Sequence, residues 1–279
     1  MRKANRDFGL LRRGDRILVA VSGGKDSGNM LHVLDKMAKR IGNIELIPVF
    51  VDEGIKGYRD RAKRQALKLC KMHGLQLKVY SFRDNSGETL DEMIRARNKS
   101  RDGKFRGQKA CSICGTLRKH ILNRAASELG ADKVAIGHTM DDVAQTFLMN
   151  VLRADIEGIA RFSVASPGDS VEAGKAPRIR PLAYVPEEES ALYAKIKRIP
   201  HLPKRCPYSV EAFRGLAEGF LNGAQKDYPA IKFSLLRACI ALSKLLPQEA
   251  NSAPWRKCGS CGAKAARTKC KACAITAKL

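Results

Sequence analysis

Arg16-Ile-Leu-Val-Ala-Val21 runs directly into Ser22-Gly-Gly-Lys-Asp-Ser27, and then into Met30, Leu31, Val33, Leu34 and Met37. The first run is continuously apolar, as in a strand buried on both faces, and the last five residues recur at helical spacing. The order is strand, glycine turn, helix. Downstream, residues 44–51 predict a second buried strand, 58–73 a basic amphipathic helix stopping near Gly74, and 75–82 a third strand. A helix over 118–129 ending at Gly130, a strand over 133–136 and a helix over 141–152 continue the alternation. Beyond a polar connector at 163–175, the pattern predicts an extended stretch over 177–186, a helix over 187–197, and two helical segments over 211–246 broken near Tyr228-Pro229. Alternating strands and helices predict an α/β fold: a doubly wound parallel sheet, ligands at the carboxyl ends of its strands, and a helical C-terminal extension.

With 279 residues the chain can bury one sizeable core and a small appendage. No apolar run reaches the roughly 18 residues a membrane span requires. The N-terminus, MRKANRDFGLLRRGDR, also lacks the apolar core of a secretory signal, so a cytoplasmic protein without a membrane is expected. Fifty-two Lys and Arg against twenty-eight Asp and Glu leave a net charge of +24, which calls for a polyanionic partner or reflects a generally basic proteome. The charge is locally concentrated. Between Arg95 and Arg124 ten basic residues face one acid, Asp102, and from Asn251 onward there are seven and no acid. Aromatics at 6% argue for a structured polyanion held by its backbone rather than stacked single strands. Nine cysteines in a reducing compartment point to metal or redox chemistry before disulfides.

The 22–27 segment is not a Walker loop, because Val19 and Asp26 stand where that motif needs glycine and Ser or Thr. Its paired glycines still let backbone approach a phosphate, the helix that follows aims its positive end there, and Lys25, Ser22 and Ser27 add charge and hydroxyls. The alternative is an ordinary serine-glycine turn. The six residues resemble the loop of the PP-loop ATP pyrophosphatases, which split ATP between its α and β phosphates and share a HUP-like fold.

Cys111-Ser-Ile-Cys114 lies just ahead of the predicted helix, and Cys206 stands far away in Lys204-Arg-Cys-Pro-Tyr208. Such a set can grip a metal or cluster, and Cys111 with Cys114 also suits a small structural zinc site. A zinc deaminase is excluded, since none of the five histidines has Glu two residues later. Cys111-x-x-Cys114-Gly with Arg118-Lys119, Gly137-His138-Thr-Met-Asp141-Asp142, and Leu148-Met-Asn-Val-Leu-Arg153 resemble the TtcA/TtuA family of tRNA 2-thiolation enzymes, in particular its cytosolic wobble-uridine branch. The likeness covers nearly the whole chain.

It implies an enzyme, a sulfurtransferase that adenylates the C2 carbonyl of a tRNA uridine and then replaces the oxygen with sulfur. It implies ATP held by Ala20, Ser22, Gly23, Gly24, Lys25, Asp26, Ser27, Phe50, Arg118 and Gly137, with Mg²⁺. Cys111, Cys114 and Cys206 would carry a [4Fe-4S] cluster, leaving one iron without a protein thiolate to present sulfide. Asp142 would hold Mg²⁺ or polarise the reacting group, and Arg118 or Lys119 would neutralise phosphate. His138 is either a buried, hydrogen-bonded residue or a substrate contact. Cys70 and Cys239 fall on helical patterns as apolar fillers. The expected partners are tRNA and a sulfur donor (free sulfide, a persulfide, or the thiocarboxylate of a ubiquitin-like carrier), with a homodimer as one expected assembly. The expected divisions are an ATP-binding catalytic domain over 1–165, a connector and helical extension with the third cysteine over 166–250, and a tail module over 251–279.

In that tail Cys258, Cys261, Cys270 and Cys273 form C-x₂-C-x₈-C-x₂-C, the spacing of a closed structural Zn²⁺ site or of two redox dithiols. Its basic residues suit a clamp on tRNA phosphates. With the other cysteines elsewhere in the chain, the iron site is expected to survive loss of this zinc. Relatives often carry another zinc module before the PP-loop domain; here no cysteine precedes Cys70, so a branch lacking it or a truncated start is expected. Thiolation of ribothymidine 54 or cytidine 32, an amide-forming PP-loop synthetase, and a non-catalytic zinc tRNA-binding scaffold are the rival readings.

Overall fold

The computed structural model describes residues 1–99, 109–165, 176–211, 213–246, 256–265 and 267–276. The basic residues within 100–108, most of the 163–175 connector and the run 247–255 lie outside them. A short helix α1 (Arg2–Phe8) leads to strand β1 (Arg16–Ala20), helix α2 (Lys25–Ile41), strand β2 (Glu45–Asp52) and helix α3 (Arg59–Met72). In β1 the side chains alternate between two cores: Ile17 and Val19 enter one, and Leu18 the other. The first core is covered by Met30, Leu31 and Leu34 of α2 and by Ala62, Ala66, Leu69 and Cys70 of α3, each set on one helical face.

Strand β3 (Lys78–Ser81) is shorter than the expected 75–82, because it pairs only with the C-terminal half of β2. Leu75 and Leu77 pack on the core without pairing, and Phe82 instead opens helix α4 (Phe82–Ser86), whose first turn Ser81 caps. Helix α5 (Leu90–Lys99) follows. Neither α4 nor α5 is anticipated by the sequence reading. Helix α6 (Ala110–Glu128) starts well before residue 118: Ala110, Ile113, Cys114, Leu117 and Ile121 make one buried stripe, so the two cysteines belong to the helix itself.

Strand β4 (Lys133–Ala135), helix α7 (Met140–Leu152), helix α8 (Ile156–Ala160) and strand β5 (Arg178–Ile179) come next. The stretch expected to be extended over 177–186 narrows to β5, because turns then carry the chain into helix α9 (Glu187–Ile196). Helices α10 (Arg214–Ala224) and α11 (Ile231–Leu245) are separated around Tyr228-Pro229 as expected. The tail adds an antiparallel pair, β6 (Arg256–Lys257) and β7 (Lys264–Ala265), and helix α12 (Lys271–Thr276).

The main sheet is wholly parallel, in the order β3-β2-β1-β4-β5. Strand order reverses between β1 and β4, which opens a crevice at their carboxyl ends where such folds hold ligands. Helices α2, α3 and α9 cover one face and α5 and α6 the other, the doubly wound arrangement expected. The expected division at residue 165 falls between two strands of this one sheet. A third cluster, including Phe147, Ile159, Leu236 and Cys239, fastens α11 to α7 and α8. Among the described residues, no helix is long and apolar enough to cross a membrane.

Candidate active site

The 22–27 loop lies in the crevice between β1 and β4. Gly23 has φ +81°, and a Cβ there would overlap the carbonyl oxygen of Ala62, so glycine is required. Ser27 Oγ accepts from the Ser22 N–H and donates to the Gly24 carbonyl, both at 3.0 Å, closing the loop on itself. Lys25 Nζ lies 2.9 Å from both Asp26 Oδ2 and Glu187 Oε1. Burial opposes its charge, yet these carboxylates raise its pKa above that of an ordinary lysine. Asp26 Oδ1 accepts from Ser190 Oγ at 2.6 Å, and the Leu202 N–H donates to the Gly23 carbonyl at 2.8 Å, so α9 and the segment after it brace the loop. Gly137 follows β4, and a Cβ there would stand 3.1 Å from Ser27 N, so its small size serves the approach of α2. Ala20 ends β1 beside the loop. Phe50 is fully buried in the core, with the Arg59 guanidinium 4.2 Å from its ring centroid.

On the other face, Cys111 and Cys114 occupy the first turns of α6, where the helix dipole favours negative charge. Cys111 is exposed, Cys114 buried and Cys206 half-buried. The short 3₁₀ turn Pro207–Glu211 carries Cys206 onto α6. Cys111 Sγ is 3.5 Å from the Tyr208 carbonyl, and Tyr208 donates its hydroxyl to Asp91 Oδ1 at 2.8 Å. Burial pushes the Cys114 thiol up to about 11, and Cys206 is raised by burial and by its neighbour Cys111. Among the described residues only the tail quartet brings three or more ligand atoms within 4.8 Å. Cys111 and Cys114 lie on one helix and the turn after Cys206 packs against that helix, so the three cysteines belong to one region of the molecule.

Between the two halves lies a residue the sequence reading passed over. Glu53, 1% exposed, follows β2 and pairs with Arg59 and with Arg118, whose Nη2 is 2.7 Å from Glu53 Oε1 and 3.2 Å from Cys114 Sγ. The signal was available: an acid just past a buried strand and before Gly54. Arg118 thus serves the cysteine side, and Arg59 donates to the Ser22 carbonyl at 3.0 Å on the nucleotide side. Asp142 Oδ2 accepts from the Thr139 N–H at 3.0 Å in a reciprocal cap of α7, while Oδ1 meets Arg214 at 3.1 Å. Asp141 is buried and ties α7 to Lys232 of α11 and to the Glu187 N–H. His138 is reachable by solvent but closely surrounded; desolvation, with Arg180, Arg214 and Arg118, lowers its pKa to about 4 against the pull of Asp142.

Cys258, Cys261, Cys270 and Cys273 converge within 4.8 Å, and the Cys270 and Cys273 N–H groups point at the Cys258 and Cys270 sulfurs, each at 3.3 Å. Donated N–H groups stabilise thiolates, and the Cys258 thiol is lowered to about 6 chiefly by that from Cys270. Ala272 and Ile275 of α12 enter the core cluster that holds Ile113, Cys114 and Leu117. The tail helix therefore packs on α6, the helix that carries Cys111 and Cys114, despite their separation in sequence.

The PP-loop domain family matches residues 2–204. Over its full length the chain is 38% identical to a probable sulfurtransferase of Methanocaldococcus jannaschii, covering 79% of that protein. It is 34% identical to the tRNA 2-thiolation protein NcsA of Haloferax volcanii over 92% of this chain and 80% of that one, and 39% identical to cytoplasmic tRNA 2-thiolation protein 1 of Bos taurus over 95% and 74%. Among solved structures, the U34-tRNA thiolase NcsA of Methanococcus maripaludis with its [4Fe-4S] cluster superposes with a TM-score of 0.81 at 31% identity, covering all of this chain and 86% of that one. The chain belongs to the PP-loop family of tRNA 2-thiolation enzymes and is a sulfurtransferase.

Proposed function

We propose that the enzyme thiolates C2 of the wobble uridine of tRNA in the cytoplasm, using ATP at the 22–27 loop and sulfur chemistry at Cys111, Cys114 and Cys206. The observation that carries this reading is that both sites meet across one buried carboxylate, Glu53, at the carboxyl edge of the sheet. A carbonyl oxygen leaves poorly, so O2 of the base first attacks the α phosphorus of ATP; pyrophosphate departs and the oxygen becomes part of an AMP leaving group. Sulfide-level sulfur, as HS⁻ or released from a thiocarboxylate whose C–S bond is hydrolysed to the carboxylate, then adds at C2, the C2–O bond breaks to release AMP, and the S–H proton is lost to leave C2=S. Lys25, Ser22 and the N-terminal end of α2 orient the phosphates, with Asp26 as a carboxylate of the same loop; Asp142, at the start of α7, would hold Mg²⁺ or polarise the base. Neutral His138 can bond the base, and the Arg118 charge offsets negative charge at the cysteines.

A [4Fe-4S] cluster fits the three thiols, two at the N-terminal end of α6 and the third beside the turn that packs on that helix, and when bound it supplies the sulfur-carrying centre. The tail quartet fits Zn²⁺ in a closed, structural site. Sulfide, or a ubiquitin-like thiocarboxylate carrier, provides the sulfur. The test is nucleoside mass spectrometry of tRNA incubated anaerobically with holoenzyme, ATP and sulfide. Appearance of 2-thiouridine at position 34 is expected; ATP consumption with no sulfur in the tRNA would identify another PP-loop activity.

A further inference from the structure

A carboxylate as buried as Glu53 keeps its charge only when cations and donors surround it. Arg118 binds Glu53 Oε1 through Nε at 2.9 Å and Nη2 at 2.7 Å, and Arg59 pairs with Glu53 Oε2. Each arginine has donors left over, and these go opposite ways. Arg59 Nη1 reaches the Ser22 carbonyl of the nucleotide loop, and its Nη2 the Val51 carbonyl in β2. Arg118 Nη2 reaches Cys114 Sγ. The three side chains thus form a continuous bridge from the backbone of the ATP loop to a sulfur of the cysteine centre.

We propose that Glu53 is a positioning residue that fixes these two sites relative to each other, through Arg59 on one side and Arg118 on the other. This role rests on the function proposed above. An ion pair serving stability alone needs one arginine and no outlet to either site. Here the bridge carries one net positive charge, and the Arg118 side chain, 47% exposed, displays charge where anionic sulfur is handled. The fork of Arg59, sandwiched between Glu53 and the Phe50 ring, has a fixed plane, so lysine cannot replace it geometrically.

The test compares wild-type holoenzyme with Glu53→Gln, Glu53→Asp, Arg59→Lys and Arg118→Lys, each checked by thermal melting. The readouts are the KM for ATP in tRNA-dependent pyrophosphate release and the electron paramagnetic resonance spectrum of the reduced cluster. Glu53→Gln is expected to raise the KM and change the spectrum together, with thiolation kcat/KM falling about tenfold or more. Glu53→Asp keeps the charge and loses less. Arg59→Lys should move the KM and not the spectrum, and Arg118→Lys the spectrum and not the KM. A Glu53→Gln protein that melts earlier but keeps both wild-type values overturns the proposal. If Glu53→Gln does not fold, the two lysine variants decide: separate shifts support the bridge, and two unshifted readouts overturn it. Active wild type with an indistinguishable Glu53→Gln removes only the role of Glu53, whereas wild type yielding no thiolated base removes the functional reading and this inference with it.

Discussion

At the scale of single residues, the loop chemistry is concentrated in Lys25, Asp26 and Gly23. Lys25 and Asp26 are bonded to each other and to α9, and their roles lie with phosphate or metal, so Lys25→Ala or Asp26→Ala should abolish tRNA adenylation while leaving tRNA binding intact in a filter assay. Full adenylation in either would remove the loop from the mechanism. His138 gives a pH prediction. Its folded pKa of about 4 lies below the ordinary 6.5, so between those values the unfolded chain binds more protons. Its contribution to stability is therefore intact above the ordinary value and declines as pH falls through this window; His138→Asn should flatten that part of the melting-temperature profile. Much of this site was legible in the sequence, because Ser22-Gly-Gly-Lys-Asp-Ser27 is contiguous and its chemistry local. Glu53 and Arg59 were less so: the place of Glu53 just past a buried strand is the one local signal, and an acid and a base in a charged stretch otherwise look like solvated surface until the fold brings Arg118 from another helix to meet them.

At the scale of elements, α6 is the shared support. It carries Cys111 and Cys114 at its start, receives the Cys206 turn on its side, and packs against the tail helix, whose Ala272 and Ile275 join the same core cluster. The sequence hid this: Cys111 and Cys114 read as a pair preceding a helix, although both lie within it and Cys114 in its buried stripe, and a tail this far along the chain read as a separate appendage. Cys258→Ser or Cys270→Ser should release zinc and lower the melting temperature, since a structural zinc site contributes folding free energy. Undiminished zinc by metal analysis would contradict the assignment. Ile275→Ala, at a site 9% exposed, should cost about 2 kcal/mol, the lower end for removing a buried isoleucine side chain. Because α12 packs on α6, both changes should also lower iron retention after reconstitution, contrary to what sequence separation alone suggests; iron content equal to wild type would show the two sites to be independent.

At the scale of the whole molecule, the charge of +24 suits the polyanionic substrate of a tRNA thiolation enzyme. The alternation that gave a doubly wound sheet was strong enough in the sequence to place the loop at the carboxyl ends of the strands, whereas convergence of residues 111, 114 and 206 depended on packing that no local pattern carries. If tRNA is held mainly through phosphates, affinity should fall by about 10³ between 50 and 200 mM salt, with a similar slope for cysteine variants, because counterion release is indifferent to the chemistry. A salt-independent affinity would argue against phosphate contacts. The most direct measurement is on Cys111→Ser, Cys114→Ser and Cys206→Ser, each reconstituted anaerobically, with tRNA adenylation, iron content and 2-thiouridine quantified in the same reaction. Adenylation should persist in all three while thiolation stops and iron binding is impaired, because two thiolates hold a cubane poorly. Full-rate thiolation by iron-free wild-type protein would contradict the cluster assignment and leave a persulfide relay among these cysteines in its place.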